Sequence, residues 1–207
     1  MSEKANFSNI YKFYDLINTL LTFGFDKSWR EKAVSNLIGK SVLDLGSGTG
    51  AAYEQLLNFE TTAIDPDKKM LELNAFDNKV LGSAENLPFE DNSFDNVFCS
   101  FVWRNVSDTN NALNEVYRVL RPGGKFILLD MTRPKNSFLR MLHKIGTFKV
   151  LHLIGLITFN LKEYRFLYKS LDFYPQPEEH LNKENFIDLK IERMGVFNFV
   201  YLAVFTK

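Results

Sequence analysis

The chain has 207 residues, with 25 Lys and Arg against 25 Asp and Glu, so its formal net charge is zero. Hydrophobic residues make up 45% and charged residues 24%, which excludes disordered, collagen-like and disulfide-scaffold classes and fits a single α/β domain. A neutral total also argues against a general nucleic-acid binder, which needs a basic excess. The zero conceals a split: residues 1–130 carry a net −5 and residues 131–207 a net +5. Aromatic residues are skewed as well, with 20 of 30 lying in residues 1–30 and 138–207. The lone cysteine, Cys99, sits in an apolar run and reads as a buried small hydrophobe in a reducing compartment. No apolar h-region marks the first ten residues, and the longest apolar stretch, 150–159, is too short to span a bilayer.

In chain order, Phe7, Ile10, Tyr11, Tyr14, Ile17 and Leu21 have near-helical spacing and predict a helix over 7–30, interrupted by Gly24. A second helix is predicted over 28–38. SVLDLG at 41–46 is a buried strand running into a glycine loop. A helix over 51–58 and the strand TTAID at 61–65 follow, with Pro66 or Asp67 opening the helix that carries KKMLELN. KVLG at 79–82 and FDNVFCSF at 94–101 are the next strands. Asp108 is a fitting N-cap for a helix to about Leu120. Pro122, Gly123 and Gly124 end that helix ahead of a fifth strand at 125–130. Strands alternating with helices imply a parallel sheet with right-handed crossovers. Residues 131–189 read as mostly helical, and IERMG and FVYLAVFTK as two closing strands antiparallel to each other. The expected organisation is one domain: an N-terminal helical cover (1–38), a ligand-binding core (39–130), a second helical cover (131–189) and closing strands (190–207).

The strongest local motif is LDLGSGTG, comprising Asp44, Gly46, Ser47, Gly48 and Gly50. Glycines after a first strand let the backbone turn sharply and approach a ligand closely. Asp65 ends the second strand fifteen residues past Gly50, where doubly wound folds place an acid on ribose hydroxyls. A structural turn is one alternative. A dinucleotide is another, because Gly46, Gly48 and Ala51 also satisfy G-x-G-x-x-G/A. Asp44, placed to face a ligand's ammonium, and the lack of a separate hydride-acceptor domain favour S-adenosylmethionine.

Three segments carry a wider resemblance: YDLINTLLTFGFDKSWR (14–30), GSAENLPFEDNSFDNVFCSFVWRNVSD (82–108) and NALNEVYRVLRPGGKFILLDMTRP (111–134). With EYRFLYKSLDFYPQPEEHL (163–181), they resemble the ubiquinone/menaquinone-biosynthesis C-methyltransferases of the UbiE type. LPF…DNSFD and RVL-PGG occur in many small-molecule methyltransferases. RNV at 104–106, the N-terminal YD…FG…WR and the YRFLYKS segment are more specific to the family. The chain departs from the pattern where the family usually has Asp and this chain has Ser83, at Asp26-Lys27 where a His-Arg pair is common, and at Phe166 where a Tyr is usual.

The resemblance implies a Rossmann-like, seven-stranded, mostly parallel sheet with an antiparallel last strand, and S-adenosylmethionine as cofactor. It implies that Asp44, Gly46, Ser47, Gly48 and Gly50 hold the methionine part. Asp65 and the adjoining Pro66 would take the ribose, Met70 would pack near the adenine, Ser83, Ala84 and Glu85 would line its edge, and Phe101 would close over it. The acceptor would be a demethylmenaquinol- or ubiquinol-type ring.

Methylating a ring carbon requires a neighbouring hydroxyl to lose its proton, so the site needs a base and a cation for the phenolate. Arg104, following an apolar strand and Trp103, is the candidate cation; a structural ion pair with an acid such as Asp108 is its alternative. Asn105 is a candidate for positioning the ring oxygen, and Tyr14 and Tyr164 for contacting it. Asp130 ends the fifth strand as a further acceptor. His143, His152 and His180 have no partners at metal-ligand spacing, so no metal is expected.

Residues 131–169 hold eight Lys or Arg and one acid, Glu163, among many apolar residues. They read either as a core-packing helix with a solvated basic face or as a surface that docks on anionic lipid. The expected partner is a small hydrophobic substrate, with no nucleic acid and a homodimer as one assembly. The expected location is cytoplasmic, at the inner face of the membrane. The alternatives are a methyltransferase for another small hydrophobic acceptor, a non-catalytic S-adenosylmethionine-binding module, and an NAD-dependent oxidoreductase.

Overall fold

A computed structural model describes residues 19, 22, 24–158, 161–181, 185–195 and 197–207. Of the helix predicted over 7–30, residues 19, 22 and 24–30 are described, and Tyr14 is not. Its described end is helix α1 (Asp26–Val34), shorter than the 28–38 prediction at its far end and opened two residues earlier.

Seven strands follow: β1 (Ser41–Leu45), β2 (Glu60–Asp65), β3 (Lys79–Leu81), β4 (Phe94–Ser100), β5 (Leu120–Met131), β6 (Asp188–Met194) and β7 (Val200–Thr206). They form one sheet in the order β3-β2-β1-β4-β5-β7-β6. The first five strands pair in parallel. Strand β7 runs antiparallel to both of its neighbours, β5 and β6, as the sequence led one to expect of the closing pair. The order reverses between β1 and β4, which opens a crevice at the carboxyl ends of those strands.

The helices between strands are short. Helix α2 (Tyr53–Leu56) is half the length predicted, and α3 (Lys68–Leu73) begins at an Asp67 cap whose carboxylate accepts from the amides of Lys69 and Met70. Helix α4 (Thr109–Val119) is capped by Asp108, as its sequence position implied. Strand β5 reaches back to Leu120, so Pro122, Gly123 and Gly124 belong to its irregular start. The register with β4 shifts there, between Phe94 and Asn96, and a bulge is where a strand tolerates proline. Beyond β5 lie α5 (Ser137–Thr158), α6 (Leu161–Phe173) and α7 (Pro177–His180).

Both faces of the sheet are buried, so neighbouring residues of one strand feed different cores. Leu43, Cys99, Phe126, Leu128, Tyr201 and Ala203 pack on one face. Val42, Phe98, Ile127, Leu129, Val200 and Leu202 pack on the other. Cys99 is a buried free thiol, as read from its apolar run. At the amino edge, the Asp95 carboxylate accepts from the Lys40 and Ser41 amides and pairs with Arg121, fixing where β1 begins. The opposite, carboxyl edge is thereby left to hold the polar groups described next.

Candidate active site

The chain leaves β1 through three glycines in the left-handed region, Gly46, Gly48 and Gly50, with φ of 70°, 53° and 88°. The Gly46 and Ser47 amides both donate to the Ile64 carbonyl, at 2.9 and 3.0 Å, tying the loop to β2. Gly46 has no room for a side chain: a Cβ there would lie 2.5 Å from Val102 Cγ1. The loop and the segment after β4 are therefore in direct contact.

Asp65 braces this loop. One carboxylate oxygen accepts the Gly48 amide at 2.9 Å and the other the Asp67 amide at 2.8 Å. Burial raises the Asp65 carboxyl above its usual range, and these two hydrogen bonds oppose the rise. Each carboxylate oxygen has a second lone pair, so capacity for a ribose hydroxyl remains. Asn74, which the sequence reading did not single out, donates from Nδ2 to Ser47 Oγ and to the Gly48 carbonyl, both at 3.1 Å. Met70 is buried below the loop, its Sδ 3.7 Å from where a Gly48 Cβ would stand, while Pro66 is exposed.

Ser83 and Ala84 sit in a tight turn next to β3, with Ser83 bridged to Asn86. Glu85 fastens that turn to the start of α4: its carboxylate accepts the Ser107 amide at 3.0 Å, and its carbonyl accepts from Asn111 at 2.7 Å.

A buried polar corner lies beside the glycine loop. Asp44 is 2% exposed, and its Oδ2 has no hydrogen-bond partner among the described residues. Arg30 Nε and Gln55 Oε1 are in the same condition. Arg30, buried, pairs with Asp26 at 2.7 Å, and its guanidinium lies 5.2 Å above the Phe101 ring. Phe101 itself holds a φ of +62°. A cavity of about 440 Å³ opens here, lined by Asp26, Arg30, Gly50, Ala51 and Gln55 among others. Buried polar atoms in native proteins are normally paired, so orphaned atoms around a cavity mark where a polar ligand fits. Of the three orphaned groups, Arg30 and Gln55 line this cavity and Asp44 does not; a buried carboxylate oxygen without a partner among the described residues, at the start of the glycine loop, suits the ammonium of S-adenosylmethionine. Arg30 was missed by the site assignment, although the WR pair at 29–30 was among the residues that carried the resemblance.

Burial pushes the Asp44 carboxyl up to about 7, with Arg30 pulling it down and Asp65 pushing it up. The unfolded carboxyl titrates near 3.8, so the folded protein holds the proton more tightly. The stability that Asp44 contributes is thus complete below about 3.8 and is lost as pH rises towards 7. His143, buried and lowered to about 4, acts with the opposite slope over part of this range. Thermal melts of the cofactor-free protein and of Asp44→Asn separate the two. The wild type should lose stability relative to Asp44→Asn as pH rises from 4 to 7, and a constant difference would refute the assignment.

At the end of β4, a 3-10 turn (Trp103–Asn105) carries the acceptor-side candidates. The Arg104 amide donates to Asp130 Oδ2 at 2.9 Å, and its guanidinium donates to the Phe101 carbonyl at 2.9 Å and to Asp130 Oδ1. Both side chains are out of water, 3% and 0% exposed. The acid paired with Arg104 is therefore Asp130 rather than Asp108, which caps α4. Asn105 Oδ1 is buried without a hydrogen-bond partner among the described residues. Tyr164 is buried in α6, which packs on this turn. Tyr14 lies outside the described residues.

The model of the ubiE/COQ5 methyltransferase family matches residues 3–188. The chain belongs to the UbiE/COQ5 methyltransferase family. It is an enzyme, a methyltransferase, and S-adenosylmethionine is its cofactor. Among curated relatives, the ubiquinone/menaquinone biosynthesis C-methyltransferase UbiE of Rickettsia bellii is 38% identical over 194 residues, covering 84% of this chain and 78% of the relative. The protein of the same description from Rickettsia akari is 36% identical over the same shares. Solved structures agree on the fold. A SAM-dependent methyltransferase from Thermotoga maritima, described as a possible histamine N-methyltransferase, has a TM-score of 0.67 at 21% identity, covering 97% of this chain and 99% of its own. A SAM-dependent methyltransferase from Aquifex aeolicus has a TM-score of 0.60 at 19% identity, covering 95% and 96%.

Proposed function

We propose that this methyltransferase acts on a ring carbon of a demethylmenaquinol- or ubiquinol-type hydroquinone. The observation that carries the reading is the Trp103–Asn105 turn at the carboxyl edge. It holds a cation oriented by Asp130 next to Asn105 Oδ1, a buried acceptor without a hydrogen-bond partner among the described residues. A polar acceptor and an oriented cation are what a ring hydroxyl and its phenolate need.

S-adenosylmethionine, when bound, supplies the electrophilic methyl carbon. In this reading Asp44 takes the ammonium of its amino-acid part, with Gly46, Ser47, Gly48 and Gly50 giving close backbone approach. Asp65 and Pro66 border the ribose, Met70, Ser83, Ala84 and Glu85 the adenine, and Phe101 covers the cofactor. Arg104 stabilises the phenolate and is not the base, because a guanidinium keeps its proton in proteins. Asn105 accepts from the ring hydroxyl and fixes the ring's orientation. Tyr164 contacts the ring from α6, and Tyr14, outside the described residues, is the second tyrosine that the family resemblance assigns to it. The site, removed from water, leaves these charges weakly screened. The same reading puts the enzyme against a membrane through residues 131–169, where a polyprenylated quinol dissolves.

The test is methyl transfer from labelled S-adenosylmethionine to extracted demethylated quinones, with and without prior reduction. The reduced ring should be methylated and the oxidised ring should not. Transfer to neither, with turnover on a polar acceptor, would overturn the proposal.

A further inference from the structure

Helix α5 (Ser137–Thr158) turns one face inward. His143, Thr147, Leu151 and Gly155 recur every fourth residue and are buried. Arg133 anchors that face, donating to Thr147 Oγ1 at 2.8 Å and approaching His143 Nδ1 at 3.3 Å, and Gly155 sits against Leu161 and Tyr164. The outward face of a helix on a water-soluble body is ordinarily polar. Here it is not: Phe138 (61%), Met141, Ile145 (48%), Phe148, Leu153 (59%) and Leu156 are all exposed. A contiguous apolar surface of this kind marks an interaction site.

We infer that this outward face of α5 rests on an anionic lipid bilayer, its apolar side chains reaching below the headgroups. Charge complementarity selects the occupant. Between Ser137 and Thr158 there is no Asp or Glu; Lys144 is drawn to Asp172 and the flanking Lys135 to Glu178, while Arg140 and Lys149 stand exposed along the helix and Lys169 beyond it. A second copy docking by two-fold symmetry would bring like charges together, since such interfaces use the same patch on both subunits. Anionic headgroups oppose these cations directly. No described helix is long and apolar enough to cross a membrane, so α5 lies along the surface. The inference deepens the reading of a membrane-borne quinol and draws its occupant from α5 alone. The sequence left a solvated basic face and a lipid-docking surface both open, and the exposed apolar row along α5 is what the structure adds.

The test is vesicle flotation of the full chain with phosphatidylcholine alone and with phosphatidylcholine mixed with phosphatidylglycerol. The wild type should float with the mixed vesicles. The double variant Phe138→Ser/Ile145→Ser, which alters only exposed positions, should keep its melting temperature and lose about tenfold or more in partitioning. Lys149→Glu should weaken binding to mixed vesicles. Equal flotation of the double variant and the wild type would overturn the inference. So would a wild type that ignores vesicles but forms a dimer that the same two substitutions dissolve. Methyl transfer to a short-tailed, water-soluble quinol, assayed in parallel without vesicles, keeps failure of this inference separate from failure of the acceptor assignment.

Discussion

Asp130→Ala is expected to lower the unfolding free energy by about 3–5 kcal/mol, the usual cost of removing one partner from a buried ion pair. Asp130 is fully buried and answers three donors: the Arg104 amide, the Arg104 guanidinium and its own neighbour's amide, that of Met131, at 2.7 Å. Removing the carboxylate leaves a guanidinium that is 3% exposed without its counter-charge. It also frees the turn after β4, because the Arg104 amide loses its acceptor. Replacing the pair together, as Arg104→Met/Asp130→Leu, should cost clearly less stability than Asp130→Ala alone, since both charges then leave the interior. Urea unfolding measures both. A loss under about 1 kcal/mol for Asp130→Ala would mean that the pair is solvated, as surface pairs of that worth are. Turnover should fall in both variants, because Arg104 has either lost its orientation or its charge.

Gly46→Ala is expected to weaken S-adenosylmethionine binding by about 100-fold or more, roughly 2.7 kcal/mol. Two costs coincide at this position. The residue sits at φ +70°, where an L side chain costs roughly 1–2 kcal/mol. The new Cβ would also stand 2.5 Å from Val102 Cγ1, and a β-branched neighbour two residues from Arg104 has little room to withdraw. Relief must come from moving the glycine loop away from β4, which shifts the amides that the proposed reading sets against the cofactor. Titration calorimetry reads the affinity. By contrast, a Cβ at Gly123 meets nothing within 4 Å, so Gly123→Ala, strained in φ alone, serves as a control that should leave binding intact. Equal affinity for Gly46→Ala and wild type would contradict the placement of the cofactor on this loop.

The parts of this architecture written in local pattern were readable from the sequence. Short apolar runs ending in glycine located β1 and its loop, and Asp108 and Asp67 announced their helices through cap chemistry that acts over three residues. RNV at 104–106 drew notice to the segment that forms the 3-10 turn after β4. What escaped were arrangements made across the sheet. Arg104 and Asp130 are 26 residues apart and meet only because β4 and β5 pair in parallel with their carboxyl ends aligned. Asn74 lies at the end of α3, and nothing in its neighbourhood announces that it reaches back 27 residues to Ser47. Arg30 was visible as half of a motif, yet its place beside Asp44 depends on how α1 docks against the sheet. The outward face of α5 eluded composition for a different reason. Counting cations along 131–169 left a solvated basic face and a lipid-docking surface both open, and only the rotation of the helix shows that its apolar residues turn outward and its inward face goes to the Arg133 network.

Phe101 has one more bearing on how this enzyme can change. Its left-handed backbone stores energy at the point where β4 ends, and a bulky residue holds that conformation only because its neighbours force it. Glycine would relax the backbone there but would remove the ring beneath the Arg30 guanidinium. Glycine would also empty the space of a core ring that is 1% exposed, at roughly 3–5 kcal/mol, which exceeds the roughly 1–3 kcal/mol of strain it relieves. Burial of the ring thus holds the strained backbone in place, and libraries screened only for melting temperature should keep an aromatic residue at that position.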